Sequence, residues 1–257
     1  RRGALLQAQP AGAMLSVRLP LAQVQARLPA DVFLAAENGP QACVAAGDFA
    51  AVDAWAAALE AEGVGARRLV TSHAFHSPHM DAAVAPFEAL VREVALSAPR
   101  IPIVSTATGE WLTEAQACDP AYWVEHSCET VRFSQGLGKL MDDQELALLE
   151  VGPGQSLTGF AMQQNPEGLP VLSSLRNRYD GQSDEVFLSH TVARLLLSGV
   201  EVDGLAWYAG ERRRRLPLPG YPFERKRYWI EAPNAQRRLG KDDWLSLPCW
   251  KRRALAT

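Results

Sequence analysis

The chain has 257 residues, 47% of them hydrophobic and 21% charged, with 26 Lys plus Arg against 29 Asp plus Glu for a formal charge of -3. That size and balance fit a globular protein with a sizeable core and give no general pull toward nucleic acid or anionic lipid. No apolar run is long enough to span a bilayer, and the opening RRGALLQAQP lacks the apolar core of a signal peptide.

The predicted elements begin with a strand at Ala13–Leu19, which alternates apolar and polar, and a helix over Pro20–Leu28, opened by its proline. VFLAAENG and ACVAAG read as two strands joined at Asn38-Gly39-Pro40. Asp48 then stands where a helix N-cap would, ahead of Phe49, Val52, Trp55, Ala56 and Leu59 on one broad face, with Gly63 or Gly65 to close the helix. Ala66–Val70 is the last strand of this set. The order is βαββαβ, which predicts a ferredoxin-like small lobe over residues 13–70.

Beyond it, Met80–Leu96 is helical by period, with Pro86 required near its start or at a kink. Ile101–Thr106 reads as a strand, DPAYWVEHSCETVRFSQGLGKLM as two short helices, and Leu146–Gly154 as a buried strand running into a turn. SLTGFAMQQ is a helix, Val171–Leu175 a strand, and Ser183–Gly199 an amphipathic helix capped by Ser183. Strands alternating with helices predict a mostly parallel sheet covered on both faces. The fold class expected is therefore α/β, a partial α/β-hydrolase-like large lobe with the ferredoxin-like lobe inserted in it. The tail carries Pro217, Pro219, Pro222 and Pro233 among Tyr221, Phe223, Tyr228 and Trp229, and reads as an extended segment strapped down by its rings. DDWLSLPCWKRR is apolar again and suggests the start of another domain. Cys43, Cys118, Cys128 and Cys249 form no C-x-x-C pair, which suits free thiols in a reducing, cytoplasmic compartment.

Three of the five histidines, His73, His76 and His79, fall within TSHAFHSPHM. Three histidines and a water can hold zinc, but Pro78 interrupts the spacing and no H-E-x-x-H pattern or Cys pair joins them, so no metal site is expected. A general base needs one well-placed imidazole on a loop at a strand end, and His76 is the middle candidate. Ser77 is its chain neighbour, and adjacent residues rarely form a productive pair. The serine elbow G-x-S-x-G is absent. The nearest approach, Gly154-Gln155-Ser156-Leu157-Thr158-Gly159, has Thr158 where glycine is needed, so Ser156 reads as structural. Composition and spacing stop at a hydrolase or transferase lobe without a nucleophile.

GAMLSV, ENGPQACVAAG, HAFHSPHM, YWVEH, VRF, LLEVGPGQSLTG and LPLPGYPFERKRYW occur in that order. The chain from Arg2 to about Trp229 thereby resembles the acyltransferase domain of modular type I polyketide synthases and, more distantly, malonyl-CoA:acyl-carrier-protein transacylases. The resemblance implies transfer of a malonyl extender unit from malonyl-CoA, through an acyl-serine, to the phosphopantetheine thiol of an acyl carrier protein, with no tightly bound cofactor. It implies His76 as the catalytic base and Arg2 as the clamp on the malonyl carboxylate, a role suited to a guanidinium fork. His126 falls at a position that orients the catalytic histidine or its surroundings, and Asn38 borders the substrate cleft. His73 and Phe75 belong to H-A-F-H, the form common in malonyl-selecting members where methylmalonyl-selecting ones show Y-A-S-H. Phe75 in place of serine crowds an added α-methyl, a discrimination of roughly 1–3 kcal/mol.

The resemblance divides the chain into residues 1–12, ending the first part of the large lobe, the small lobe at 13–70, the large lobe at 71–210, a post-acyltransferase linker at 211–235, and the start of a further segment at 236–257. The family's G-H-S-x-G elbow precedes the matching arginine, so the nucleophile is expected upstream of residue 1 and this stretch alone is expected to be inactive. The implied partners are the carrier protein, an upstream ketosynthase and the preceding part of the acyltransferase, in a homodimeric synthase. Arg212–Arg215 reads as a solvated face, with no nucleic acid or membrane partner. A related thioester hydrolase and a non-catalytic docking segment are the alternatives. The first has no use for the Arg2 clamp, and the second leaves H-A-F-H unexplained.

Overall fold

The computed structural model describes residues 1–227 apart from 144, 166, 167, 213 and 215. The expectations for Tyr228, Trp229, Pro233, Cys249 and segment 236–257 lie outside the described residues. Residues 1–204 form one compact unit, and the described residues from 205 onward belong to a second. In chain order the elements are α1 (Arg2–Gln7), β1 (Ala13–Val17), α2 (Leu21–Gln25), β2 (Val32–Gly39), β3 (Ala42–Gly47), α3 (Phe49–Ala61), β4 (Ala66–Arg68), α4 (Asp81–Val91), α5 (Glu114–Cys118), α6 (Pro120–Cys128), β5 (Val131–Arg132), α7 (Phe133–Met141), β6 (Leu148–Glu150), α8 (Ser156–Gln163), β7 (Val171–Ser173), α9 (Asp184–Leu197) and α10 (Gly204–Trp207).

The first sheet runs β4-β1-β3-β2-β5. Its first four strands are antiparallel, and β5 joins parallel to β2 through Ala36↔Val131 and Glu37↔Arg132. Alternation along β1 sends Ala13, Leu15 and Val17 to the face covered by α2 and α3, where they meet Val24, Val52, Trp55 and Leu59. Met14 points to the opposite face, in a second cluster with Ala36, Val44, Ala46 and Ala74. Burial pushes the Cys43 thiol up to about 11, helped by Glu37, so it behaves as a core residue and not as a nucleophile. Leu15 is 1% exposed in the first cluster. Leu15→Ala is expected to cost about 2–5 kcal/mol of stability, read as a lower denaturation midpoint in urea.

Most predicted elements are present, with instructive differences. Asp48 does occupy the N-cap of α3, but its side chain makes no capping hydrogen bond. Gly63, at φ +75°, ends that helix in the left-handed region. Ser183 caps α9 by accepting from Val186 N–H. Pro86 lies well inside α4 instead of near its start. The predicted strand Ile101–Thr106 is not an element. Its residues fold back around Gly109 (φ +77°), with Ser105 N–H donating to Glu110 O at 2.8 Å and Leu112 N–H to Ile103 O at 2.8 Å. Only the single bridge Val104↔Trp111 results, and Ile101 is 77% exposed.

The parallel pairing expected of the second half is found between β6 and β7. It is a two-stranded sheet, and Leu149 and Val151 are 39% and 82% exposed, so the strand read as buried is open on one side. In the second unit Tyr221 and Phe223 are exposed, their rings edge-on at 4.9 Å. No helix among the described residues is long and apolar enough to cross a membrane.

Candidate active site

The segment after β4 returns along the start of β1. Gly12 N–H donates to Ser72 O at 3.1 Å, and Ala11 bridges His73. A side chain at Gly12 would lie 2.8 Å from the Ala74 Cβ, so only glycine allows this approach. Phe75 then packs on the cluster of Met14, Ala36 and Ala74, and the chain turns sharply at the next residue. His76 has φ +57°, the only non-glycine residue among those described to enter the left-handed region. Backbone held there concentrates at functional sites.

The His76 Nδ1–H donates to the Glu129 carbonyl at 2.9 Å. A carbonyl can only accept, so this bond sets the tautomer and leaves Nε2 bare and able to take a proton. The Glu129 carbonyl is held in turn from both sides. Glu129 ends α6, its N–H donating to Glu125 O at 2.8 Å, and Thr130 Oγ1 donates to Leu34 O at 2.8 Å on β2. Burial lowers the His76 pKa below the ordinary 6.5, the Glu129 bond opposes this, and His126 and Arg2 lower it further. His126 is likewise lowered by burial and then by Arg2. Arg2, on α1, has its guanidinium 6.0 Å from the Phe87 ring centroid.

Arg2, His76 and His126 are thus brought into one electrostatic neighbourhood. His126 Nε2 bonds Thr106 Oγ1 at 3.1 Å and its ring lies beside Tyr122 and Trp123. His73 is 3% exposed and turned away. Its Nε2–H donates to Gln9 O at 3.1 Å, and its Nδ1 pairs with Ser72 Oγ at 2.7 Å. Its ring lies 5.7 Å from that of Phe75. Asn38 is half-buried near the hairpin end of β2, outside the His76–Glu129 and His126–Thr106 contacts. Ser77 is buried, donating to Ala74 O at 2.6 Å and accepting from His79 N–H at 3.3 Å, so it shapes the turn. His79 has its Nδ1 buried without a partner among the described residues, and its Nε2 is 3.9 Å from Asp48. Among the described residues no three His, Cys, Asp or Glu side chains gather as a metal site.

The GPGQSLTG stretch is explained by the same geometry. The Glu150 carboxylate accepts from Leu157 N–H, Thr158 N–H and Thr158 Oγ1, the last two at 2.8 and 2.7 Å, capping α8 from the end of β6. Thr158 Oγ1 also meets Ser173 Oγ on β7 at 2.7 Å. A threonine where an elbow needs glycine is therefore a tie between helix and sheet. Sequence reading did not anticipate Glu129 or Thr106 as partners of the two histidines. A backbone carbonyl has no side-chain signature, and the threonine is twenty residues from the imidazole it meets.

The model of the acyl transferase domain family matches residues 1–196. The chain belongs to that family. This acyltransferase chain is 35% identical over 260 residues to polyketide synthase GfsA of Streptomyces halstedii, covering 97% of this chain and 3% of that protein. It is 35% identical over 233 residues to the mycoketide-CoA synthase of Mycobacterium tuberculosis, covering 90% and 6%. The acyltransferase domain from the second module of the salinomycin polyketide synthase superposes with a TM-score of 0.75 at 39% identity, over 85% of this chain and 52% of that one. The acyltransferase domain of SpnD, solved with 2-(pent-4-yn-1-yl)malonyl, gives 0.74 at 37%, over 77% and 48%. The chain therefore spans a small part of these synthases and about half of the two solved domains.

Proposed function

We propose that this chain carries the base and the carboxylate clamp of an acyltransferase that moves a malonyl unit from malonyl-CoA to the phosphopantetheine thiol of an acyl carrier protein in polyketide biosynthesis. The observation that carries this reading is the left-handed His76, its Nδ1–H tied to the Glu129 carbonyl and its Nε2 bare. The nucleophile is a serine in a segment preceding Arg1. His76 takes its proton as the serine attacks the thioester, and returns it to the leaving coenzyme A thiolate. In the second half-reaction His76 takes the proton of the carrier thiol as its sulfur attacks the acyl-serine, the acyl C–O bond breaks, and His76 returns the proton to the departing serine oxygen. Arg2 holds the malonyl carboxylate throughout, and no decarboxylation occurs. His126, bonded to Thr106, adds no charge beside Arg2 because it is kept neutral.

The same reading takes residues 13–70 as a ferredoxin-like lobe, supported by the antiparallel order β4-β1-β3-β2, inserted in an α/β-hydrolase-like lobe. Further strands from the preceding segment extend the open β6–β7 pair. The partners are the carrier protein and a ketosynthase in a dimeric synthase. The test uses the full-length synthase with radiolabelled malonyl-CoA. Label held on the protein and then handed to carrier protein supports the reading, and label lost only to water overturns it in favour of hydrolysis. Phe75→Ser is expected to narrow a malonyl-over-methylmalonyl preference by about 10–200-fold, measured as the ratio of kcat/KM for the two thioesters.

A further inference from the structure

Two arginines on the small sheet are not used by the chemistry above. Arg18 follows β1 and Arg67 lies on β4, and with Ser16, Gly65, Ala66 and Leu69 they line an open groove of about 350 Å³. The register places Ser16 opposite Arg67, and Arg18 N–H donates to Gly65 O at 2.9 Å. A Cβ on Gly65 would stand 3.1 Å from the Arg18 Cδ, so the bare glycine leaves room for the Arg18 stem to lie across the strand. Neither guanidinium has an ion pair among the described residues, whereas the neighbouring Arg27 and Arg68 are paired with Glu62 and Asp53. Two uncompensated forks in one groove favour an anion.

The groove shares a face with the active-site loop. Period-two alternation puts Ser16 and Arg18 on the side of Met14, where Leu69 and Phe75 also pack, away from α2 and α3. Gly12, which abuts Ala74, is four residues from Ser16, about 13 Å of extended strand at 3.3 Å per residue. The geometry points to Arg18 and Arg67 as a binding site for the phosphate that ends the pantetheine arm of the acyl donor and acceptor. This rests on the acyl-transfer reading, in which coenzyme A and the carrier protein share that phosphate-terminated arm, and an extended arm spans a separation of that order.

The full-length synthase is compared with its Arg18→Gln, Arg67→Gln and double variants. The donors are malonyl-CoA and the phosphate-free malonyl-pantetheine thioester, and the acceptors are carrier protein and free pantetheine. The double variant is expected to raise KM for malonyl-CoA or for carrier protein more than tenfold, and each single variant about fivefold, with kcat unchanged. Rates with the phosphate-free compounds stay at the wild-type level. An effect on the donor alone assigns the site to coenzyme A, and one on the acceptor alone assigns it to the carrier arm. Equal effects on phosphate-bearing and phosphate-free compounds overturn the site. So does an unmoved KM with lost solubility, which would make the arginines guards of the β4 edge. Failure of wild-type protein to take label from either donor instead overturns the acyl-transfer reading, and this site with it.

Discussion

His76→Asn is expected to lower acyl loading of the full-length synthase by about 10³-fold, within the range a positioned general base contributes. Asparagine is the informative replacement because it tolerates the left-handed backbone at φ +57°, whereas alanine would add strain to the loss of the imidazole. Unchanged thermal unfolding alongside the lost rate separates chemistry from folding. The wild-type pH profile carries a second signature. The His76 pKa is lowered, so its base form persists below pH 6.5, and loading is expected to fall only as pH drops through that lower value. A variant that loads at the wild-type rate, or a wild-type acid limb above pH 6.5, removes His76 from the mechanism.

Arg2→Met is expected to lower kcat/KM for malonyl-CoA by about 10²-fold while leaving acetyl-CoA unchanged or improved. The figure follows from losing two charge-assisted hydrogen bonds to a carboxylate. Lysine keeps the charge without the fork and should recover only part of the loss. Because Arg2 also depresses the His76 pKa, its removal should move the acid limb of loading toward higher pH. The two effects are measured on the same variant, by donor selectivity and by pH profile. An Arg2→Met protein with equal losses for malonyl and acetyl donors would mean the guanidinium supports the fold and not the substrate.

Elements that satisfy themselves locally were the ones legible in advance. Ala13–Val17, the hairpin around Pro40 and α3 each carry a period and a turn residue, and Ser183 carries its own cap. The βαββαβ order follows from those local signals. The run Ile101–Thr106 misled because an apolar stretch states a preference for extension, while a strand exists only when a neighbour takes its hydrogen bonds. Here the chain bends at Gly109 and bonds itself. The exposed Leu149 and Val151 show the same dependence on a neighbour.

By itself the sequence determined which residue types stand where: an arginine at the start, three histidines on one loop, a threonine in place of an elbow glycine. Spacing alone could not rank those histidines, and it was the resemblance through H-A-F-H that singled out His76. Tertiary structure shows how the three differ. His73 is spent on Gln9, His79 is set beside Phe33 and Asp48, and His76 alone turns left-handed to meet the Glu129 carbonyl. That carbonyl reaches the loop only because β5 pairs with β2 and fixes the end of α6. A proton acceptor is made by partners that lie more than fifty residues away along the chain, and nothing in local spacing encodes a distance of that kind.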